Sequence, residues 1–285
     1  MTTVLGIDAA WTPTEPSGVA LIQGDADRWT CIALAPSYHS FVGAADGSLV
    51  DWNSHAVGTP PDPAELLSAA RSLAGTPIDL VAIDMPISTV AILGRRTADN
   101  ETSKRFGPRG CSTHSATPER PGSLGAKMTG GFAALGYPVA TADTEPGAPR
   151  HLLEVYPHPA LLALLGRAYR VPYKLSRSRR YWPDQSVPQR IQSLLVEHSA
   201  IEAGLRRVIR GIPTEVQPPR SVARLSALKR HEDALDALVA CWVGSLYATG
   251  RSTPLGDDTA AIWFPTAAFD LPPLISPSQR PSGVP

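Results

Sequence analysis

Four aspartates carry the strongest chemical signal in the sequence. Asp8 closes the apolar run VLGI, Asp84 closes LVAI, and Asp233 and Asp236 stand three apart in HEDALDAL. A carboxylate at the tip of a buried strand is costly unless something pairs with it or coordinates it. Residues three apart share a helical face. This face continues through Ala237, Ala240 and Gly244, where a solvent face would carry Lys, Glu or Arg. Small residues let a helix approach a sheet closely, so the pattern predicts a helix buried on both sides with its acidic end near the strand tips. Carboxylates that meet there repel unless a cation neutralises them. Magnesium commonly takes one or two carboxylates plus substrate phosphate oxygens. Two ions, Mg2+ or Mn2+, about 3.5–4 Å apart stabilise the attacking and leaving oxygens of an in-line phosphoryl displacement. Asp8, Asp84, Asp233 and Asp236 are therefore the expected catalytic and metal-binding set.

Glu154, inside the apolar LLEVYP, is a further candidate ligand, and a buried salt bridge is the rival reading. The aspartates have rivals too: Asp8 and Asp84 could cap turns, and Asp233 could sit on the dipole of a helix N-terminus. His158 and His231 read better as solvated or hydrogen-bonded side chains than as ligands.

Lysine and arginine together equal aspartate and glutamate at 26 each, so net charge announces no polyanion partner, but clusters do. GRAYRVPYKLSRSRRY holds Arg167, Arg170, Lys174, Arg177, Arg179 and Arg180 with interleaved tyrosines and no acid. Basic and aromatic side chains together suit a nucleic-acid backbone with stacked bases; the rival is a solvated surface. Arg95, Arg96, Lys104, Arg105 and Arg109 add charge upstream, and Asp99 could order those arginines or approach the metals. GPRGCSTHS could be a lid whose amides meet phosphates.

The elements that must position these residues follow from pattern. TVLGIDAAW, SGVALIQGD and RWTCIALAPS read as three short strands in an antiparallel meander, with Gly24 and Asp25 in a tight hairpin turn between the last two. DPAELLSAARSLAG reads as a helix with Asp62 as N-cap, Pro63 at its first position and Gly75 as its stop. PIDLVAIDMPIS reads as a central strand covered on both faces. Residues 88–150 show little periodicity and are too long for a plain connection, so they are expected to be a loop-rich insertion. HLLEVYPH predicts a strand, PALLALLG a short helix, and IQSLLVEHSAIEAGLRRVIRG a longer one. KRHEDALDALVACWVGSLYATG is the clearest helix, with Leu235, Leu238, Val239, Trp242 and Leu246 on one face. TAAIWFP could add an edge strand. The order predicts an α/β fold: a mixed sheet, meander plus parallel strands, flanked by helices. With 285 residues, one domain over 1–273 is expected, the insertion falling at about 88–150 and a flexible Pro-rich tail over 274–285. Cys31, Cys111 and Cys241 lack metal-ligand spacing. No signal-peptide pattern or bilayer-spanning run is evident, so a cytoplasmic protein without a membrane partner is expected. Oligomeric state stays open.

At these residues the chain resembles a known family. GIDAAW, SGVAL, VAIDMPI, the following RRTAD, LLEVYP and HEDALDAL are similar to the proteins called predicted RNase H-like nucleases, over about residues 4–248. The helix motif is also similar to the last helix of RuvC-type Holliday junction resolvases. The resemblance implies an RNase H-like core whose site is Asp8, Asp84, Asp233 and Asp236. RuvC-type enzymes carry Glu at the position of Asp84, and the 88–150 segment departs from a minimal RNase H. The expected function is a metal-dependent phosphodiester hydrolase acting on nucleic acid. The alternatives are a non-catalytic nucleic-acid-binding or scaffold protein and a phosphotransferase of the actin or sugar-kinase type. The latter should show two cores and Gly-rich phosphate loops, whereas Pro13 and Pro16 occupy the first turn here.

Overall fold

The computed structural model describes residues 1–216 and 222–274. Eight strands form one sheet: β1 (Thr2–Asp8), β2 (Gly18–Asp25), β3 (Arg28–Ala35), β4 (Leu80–Ile83), β5 (His151–Val155), β6 (Ile209–Arg210), β7 (Ser252–Gly256) and β8 (Ala261–Pro265). Their spatial order is β6-β3-β2-β1-β4-β5-β8-β7. β1, β2 and β3 are the antiparallel meander that the sequence predicts. β4 joins β1 in parallel, β5 joins β4 in parallel, and β8 joins β5 in parallel. The fold is α/β with a mixed sheet flanked by helices.

The helices are α1 (Tyr38–Ala45), α2 (Pro63–Ala74), α3 (Thr97–Phe106), α4 (Ser123–Ala134), α5 (Pro157–Leu165), α6 (Ser178–Tyr181), α7 (Val187–Val208) and α8 (Lys229–Ala248). Strand side chains alternate between faces, and β1 sorts accordingly. Leu5 and Ile7 pack with Phe41, Leu66, Leu67 and Phe132 of α1, α2 and α4. Val4 packs on the other side with Leu161, Leu205 and Leu238 of α5, α7 and α8. α2 begins at Asp62, whose carboxylate accepts from the amides of Ala64 and Glu65, and it stops at Gly75.

Three expectations need correction. The 88–150 segment is not simply loop: it contains α3 and α4, and Met128 and Phe132 of α4 complete the core on one face. α3 is polar over most of its length and α4 carries three glycines, so neither shows a clean apolar stripe. The strand over AIWFP is not at the edge, because β7 pairs outside it. β7 contains Pro254, which is tolerated at an edge where no ladder donor is needed. The β2–β3 hairpin turns at Ala26 and Asp27 rather than at Gly24 and Asp25, since Asp25 already pairs with Arg28. α1 has no sequence signal singled out above; it is short and starts at Ser37, whose hydroxyl accepts from the Ser40 amide. The expected tail lies outside the described residues except for Leu274.

Candidate active site

α8 is the element that assembles the site. Every residue from His231 to Tyr247 is buried, so the helix is covered on both sides as its small residues predict. It crosses β1 antiparallel, and glycines mark the crossing. A Cβ on Gly18 would collide with the Asp233 carbonyl, and a Cβ on Gly6 would lie 2.6 Å from Cys241 Sγ. Gly18 is the ladder partner of Asp8. The first turns of α8 therefore lie over the end of β1.

Asp84 follows β4 directly, and its amide donates to the Ile7 carbonyl at 2.8 Å, which sets it beside Asp8. Asp8 has the same face as Val4, and Asp84 the same face as Ala82, so alternation turns both toward α8. The site thus occupies the carboxyl ends of parallel strands, where ligands bind in open α/β sheets. Asp8, Asp84, Asp233 and Glu232 line a cavity of about 420 Å³ together with Lys174, Lys229, Arg170, Arg177, His114 and Tyr156. At its mouth the Arg120 guanidinium lies over the Trp11 ring, 5.5 Å from the centroid.

Asp236 does not line the cavity. It sits behind it, with its carboxylate accepting from Tyr173 Oη at 2.6 Å and from Lys174 Nζ at 2.5 Å. Asp233 Oδ1 accepts from Lys229 Nζ, while Asp233 Oδ2 is buried with no partner. The carboxylates of Asp8 and Asp84 make no hydrogen bond or ion pair with protein among the described residues. Protein surrounds Asp84 closely enough that burial, reinforced by Asp8, holds its carboxyl well above the usual range. Burial and Asp8 do the same to Asp233 in spite of Lys229. Asp236 is pushed up to about 6 by burial, which Lys174 only partly offsets. Glu232 goes the other way: burial opposes its charge, but Lys174 and Lys229 draw its carboxyl below the ordinary value. Burial also opposes the charge on Lys174, yet Asp236 holds that ammonium group well above its ordinary range.

Several expected site residues do other work. Glu154 lines the cavity beside Asp84, but Arg96 grips both its oxygens, Nη1 at 2.5 Å and Nη2 at 2.7 Å. The rival reading, a buried salt bridge, is the one observed. Arg96 also binds Asp99 at 2.9 Å, so the RRTAD segment anchors the start of α3 to the end of β5. Arg95 donates to the Asp99 carbonyl at 2.8 Å and to Asn100 Oδ1 at 2.7 Å. Arg105 donates to the Phe269 carbonyl at 2.5 Å, and Arg109 to the Ala168 carbonyl at 2.9 Å. These arginines tie loops together and do not line the cavity, and neither do exposed Lys104 and Arg179. Arg180 lines a neighbouring cavity. Lys174 is in the site, but as the partner of Asp236 and Glu232 rather than as a free phosphate contact.

Sequence reasoning missed Lys229, Glu232, His114 and Tyr173. Lys229 had a signal, since it precedes Asp233 by four residues on a helix. Tyr173 lay in the basic, tyrosine-rich run and His114 in GPRGCSTHS, but their pairings with Asp236 and Arg177 had no signal, because these contacts cross more than sixty positions of chain.

Residues 6–261 match the family model described as protein of unknown function, DUF429. The chain belongs to that family. The matched span runs from Gly6 to Ala261 and so contains every carboxylate, lysine and arginine of the cavity. No curated protein and no solved structure matches the chain.

Proposed function

We propose that this DUF429 protein is a divalent-cation-dependent phosphodiester hydrolase acting on nucleic acid. One observation carries the reading. Two unpartnered carboxylates, Asp8 and Asp84, stand side by side at the carboxyl ends of parallel strands, in a cavity with the orphaned Asp233 Oδ2. Crowded acids without cations are what a hard cation would relieve. The strand order β3-β2-β1-β4-β5, with β2 reversed, supports an RNase H-like core.

The donor set fits one hard cation more readily than two. Two carboxylates plus phosphate oxygens match magnesium's habit. Asp8 and Asp84 would hold the ion, with Asp233 Oδ2 as the next oxygen available. When bound it supplies Lewis-acid stabilisation of a phosphoryl oxygen. A second ion would need Lys229 to leave Asp233 or Lys174 to leave Asp236. Lys174, reaching the cavity from its pairs with Glu232 and Asp236, offers positive charge to a phosphate there. Glu154, held by Arg96, accepts the Ile87 amide at 2.9 Å and so braces the chain just after Asp84. The three free, buried cysteines fit a reducing compartment, and no helix among the described residues is long and apolar enough to cross a membrane.

The pairs Lys174–Asp236 and Lys229–Asp233 favour a second reading, a non-catalytic nucleic-acid-binding protein whose acids are neutralised by its own lysines. Incubation of labelled duplex and single-stranded DNA and RNA with wild type and Asp84→Asn separates the two. Cleavage that needs Mg2+ or Mn2+ and disappears in Asp84→Asn is expected. Binding without cleavage in any divalent cation supports the second reading.

A further inference from the structure

Besides its carboxylates, the cavity is lined by Arg170, Arg177 and His114. Arg170 is 8% exposed, yet it has no carboxylate partner among the described residues. Its Nη1 donates to the Gly110 carbonyl at 3.0 Å, its Nε to Tyr181 Oη at 3.3 Å, and its Nη2 meets His158 Nε2. Arg177 Nη2 meets His114 Nε2 at 2.7 Å, and Arg177 too lacks a carboxylate partner among the described residues. A guanidinium can only donate. Both imidazoles must therefore accept through Nε2, so both are neutral with their proton on Nδ1. The neighbourhood agrees: burial and then Arg177, Arg170 and Arg120 hold His114 below its ordinary value. His158 Nδ1 is left as a buried donor with no partner.

The cavity thus holds two guanidinium charges met only by neutral acceptors. A charge taken out of water without an opposite charge is costly, and a buried arginine normally has its anion. The same three residues also line the second cavity, about 350 Å³. Planar guanidinium groups match the oxygens of a phosphate with paired hydrogen bonds.

We propose that Arg170, Arg177 and His114 form an anion subsite that takes a second phosphate group of the substrate, next to the one held at the carboxylates. The ligand class is a phosphate ester with two neighbouring phosphates, as a short stretch of phosphodiester chain supplies. Calling the ligand an ester rests on the phosphodiesterase reading; the anion subsite itself requires only the two arginines.

Isothermal titration of metal-free protein in EDTA with inorganic phosphate and with pyrophosphate tests this. Saturable binding of at least one probe to the wild type is expected, weakened about tenfold or more in Arg177→Gln. Asp84→Asn, which leaves both arginines and His114 in place, should bind at least as tightly as wild type. Arg179→Gln, which changes an exposed arginine that lines neither cavity, should bind like wild type. Thermal melts establish that each variant is folded, and the partial exposure of Arg177 makes its loss tolerable. No saturable binding to wild type, an unchanged affinity in Arg177→Gln, or an equal loss in Arg179→Gln would overturn the subsite. Because no divalent cation is present, these outcomes are independent of whether the carboxylates bind metal or cleave nucleic acid.

Discussion

At the scale of single residues, Asp84 is a group whose charge the apoprotein opposes. Its carboxyl is raised by burial and by Asp8, so the folded chain keeps a proton that the unfolded chain has already lost. The sign follows from linkage: as pH rises above the ordinary carboxylate range, this group subtracts stability, up to about 1.4 kcal/mol per pH unit. Buried histidines work against this in the same window, His231 among them, since burial lowers it to about 4. The wild-type curve alone therefore mixes opposing slopes, and the difference from a variant isolates the acid. In EDTA, Asp84→Asn should melt above wild type at pH 7, and the gap should shrink as pH falls toward 4. A gap that stays constant with pH, or a variant less stable at pH 7, would mark Asp84 as a capping residue. Lys229 gives the complementary test. Lys229→Gln removes a charged hydrogen bond to Asp233, worth about 1.5–3 kcal/mol, and should lower apo stability while tightening Mn2+ binding. Weaker Mn2+ binding in that variant would show that the lysine does not compete for the acid. The placement of Asp8, Asp84 and Asp233 was legible because strand tips and helix faces are local patterns. The occupation of Asp236 by Tyr173 and Lys174 was not, since it depends on a loop folding back across the sheet.

At the scale of elements, the site depends on how closely α8 meets β1 and β2. Gly18→Ala would drive a methyl group into the Asp233 carbonyl. Overpacking of this kind costs about 1–3 kcal/mol, and here it should also displace the acidic turn, so cation affinity and melting temperature should fall together. Leu205→Ala is the control lesion: it empties part of the core between α7 and the sheet, at a cost of about 2–5 kcal/mol, and lines no part of the cavity. Cation affinity should survive in that variant at temperatures where it stays folded. If Gly18→Ala loses stability with full cation affinity, α8 does not set the site geometry. α2 and α8 were readable because one has its cap, first-turn proline and stop glycine in register and the other has a continuous apolar face. α3, α4 and β7 were not, for a shared reason. Each is stabilised by what it packs on rather than by its own pattern, as the polar α3 against β7 and β8 illustrates.

At the scale of the molecule, charge is balanced overall and segregated locally. Carboxylates gather at the strand tips, and Arg120, Arg170 and Arg177 line the same cavity. Such a patch reaches few phosphates, so nucleic-acid affinity should fall with salt at a log–log slope of only about −2 to −3, at roughly −0.9 per phosphate contact. A slope several times steeper would mean that a broad surface, rather than this cavity wall, meets the polymer. The mixed sheet was predictable from strand order, but the composition of the cavity rim was not, because residues 107–121 and 170–177 meet there only through tertiary contact. Everything functional proposed above requires the carboxylates at the carboxyl ends of β1 and β4 to take up a divalent cation. Electron paramagnetic resonance of Mn2+ titrated into wild type, Asp84→Asn and Asp236→Asn measures this directly. Saturable binding of at least one ion to wild type is predicted, lost in Asp84→Asn and reduced less in Asp236→Asn, whose parent carboxylate lies outside the cavity. Absence of binding to wild type, or equal binding in Asp84→Asn, would contradict it.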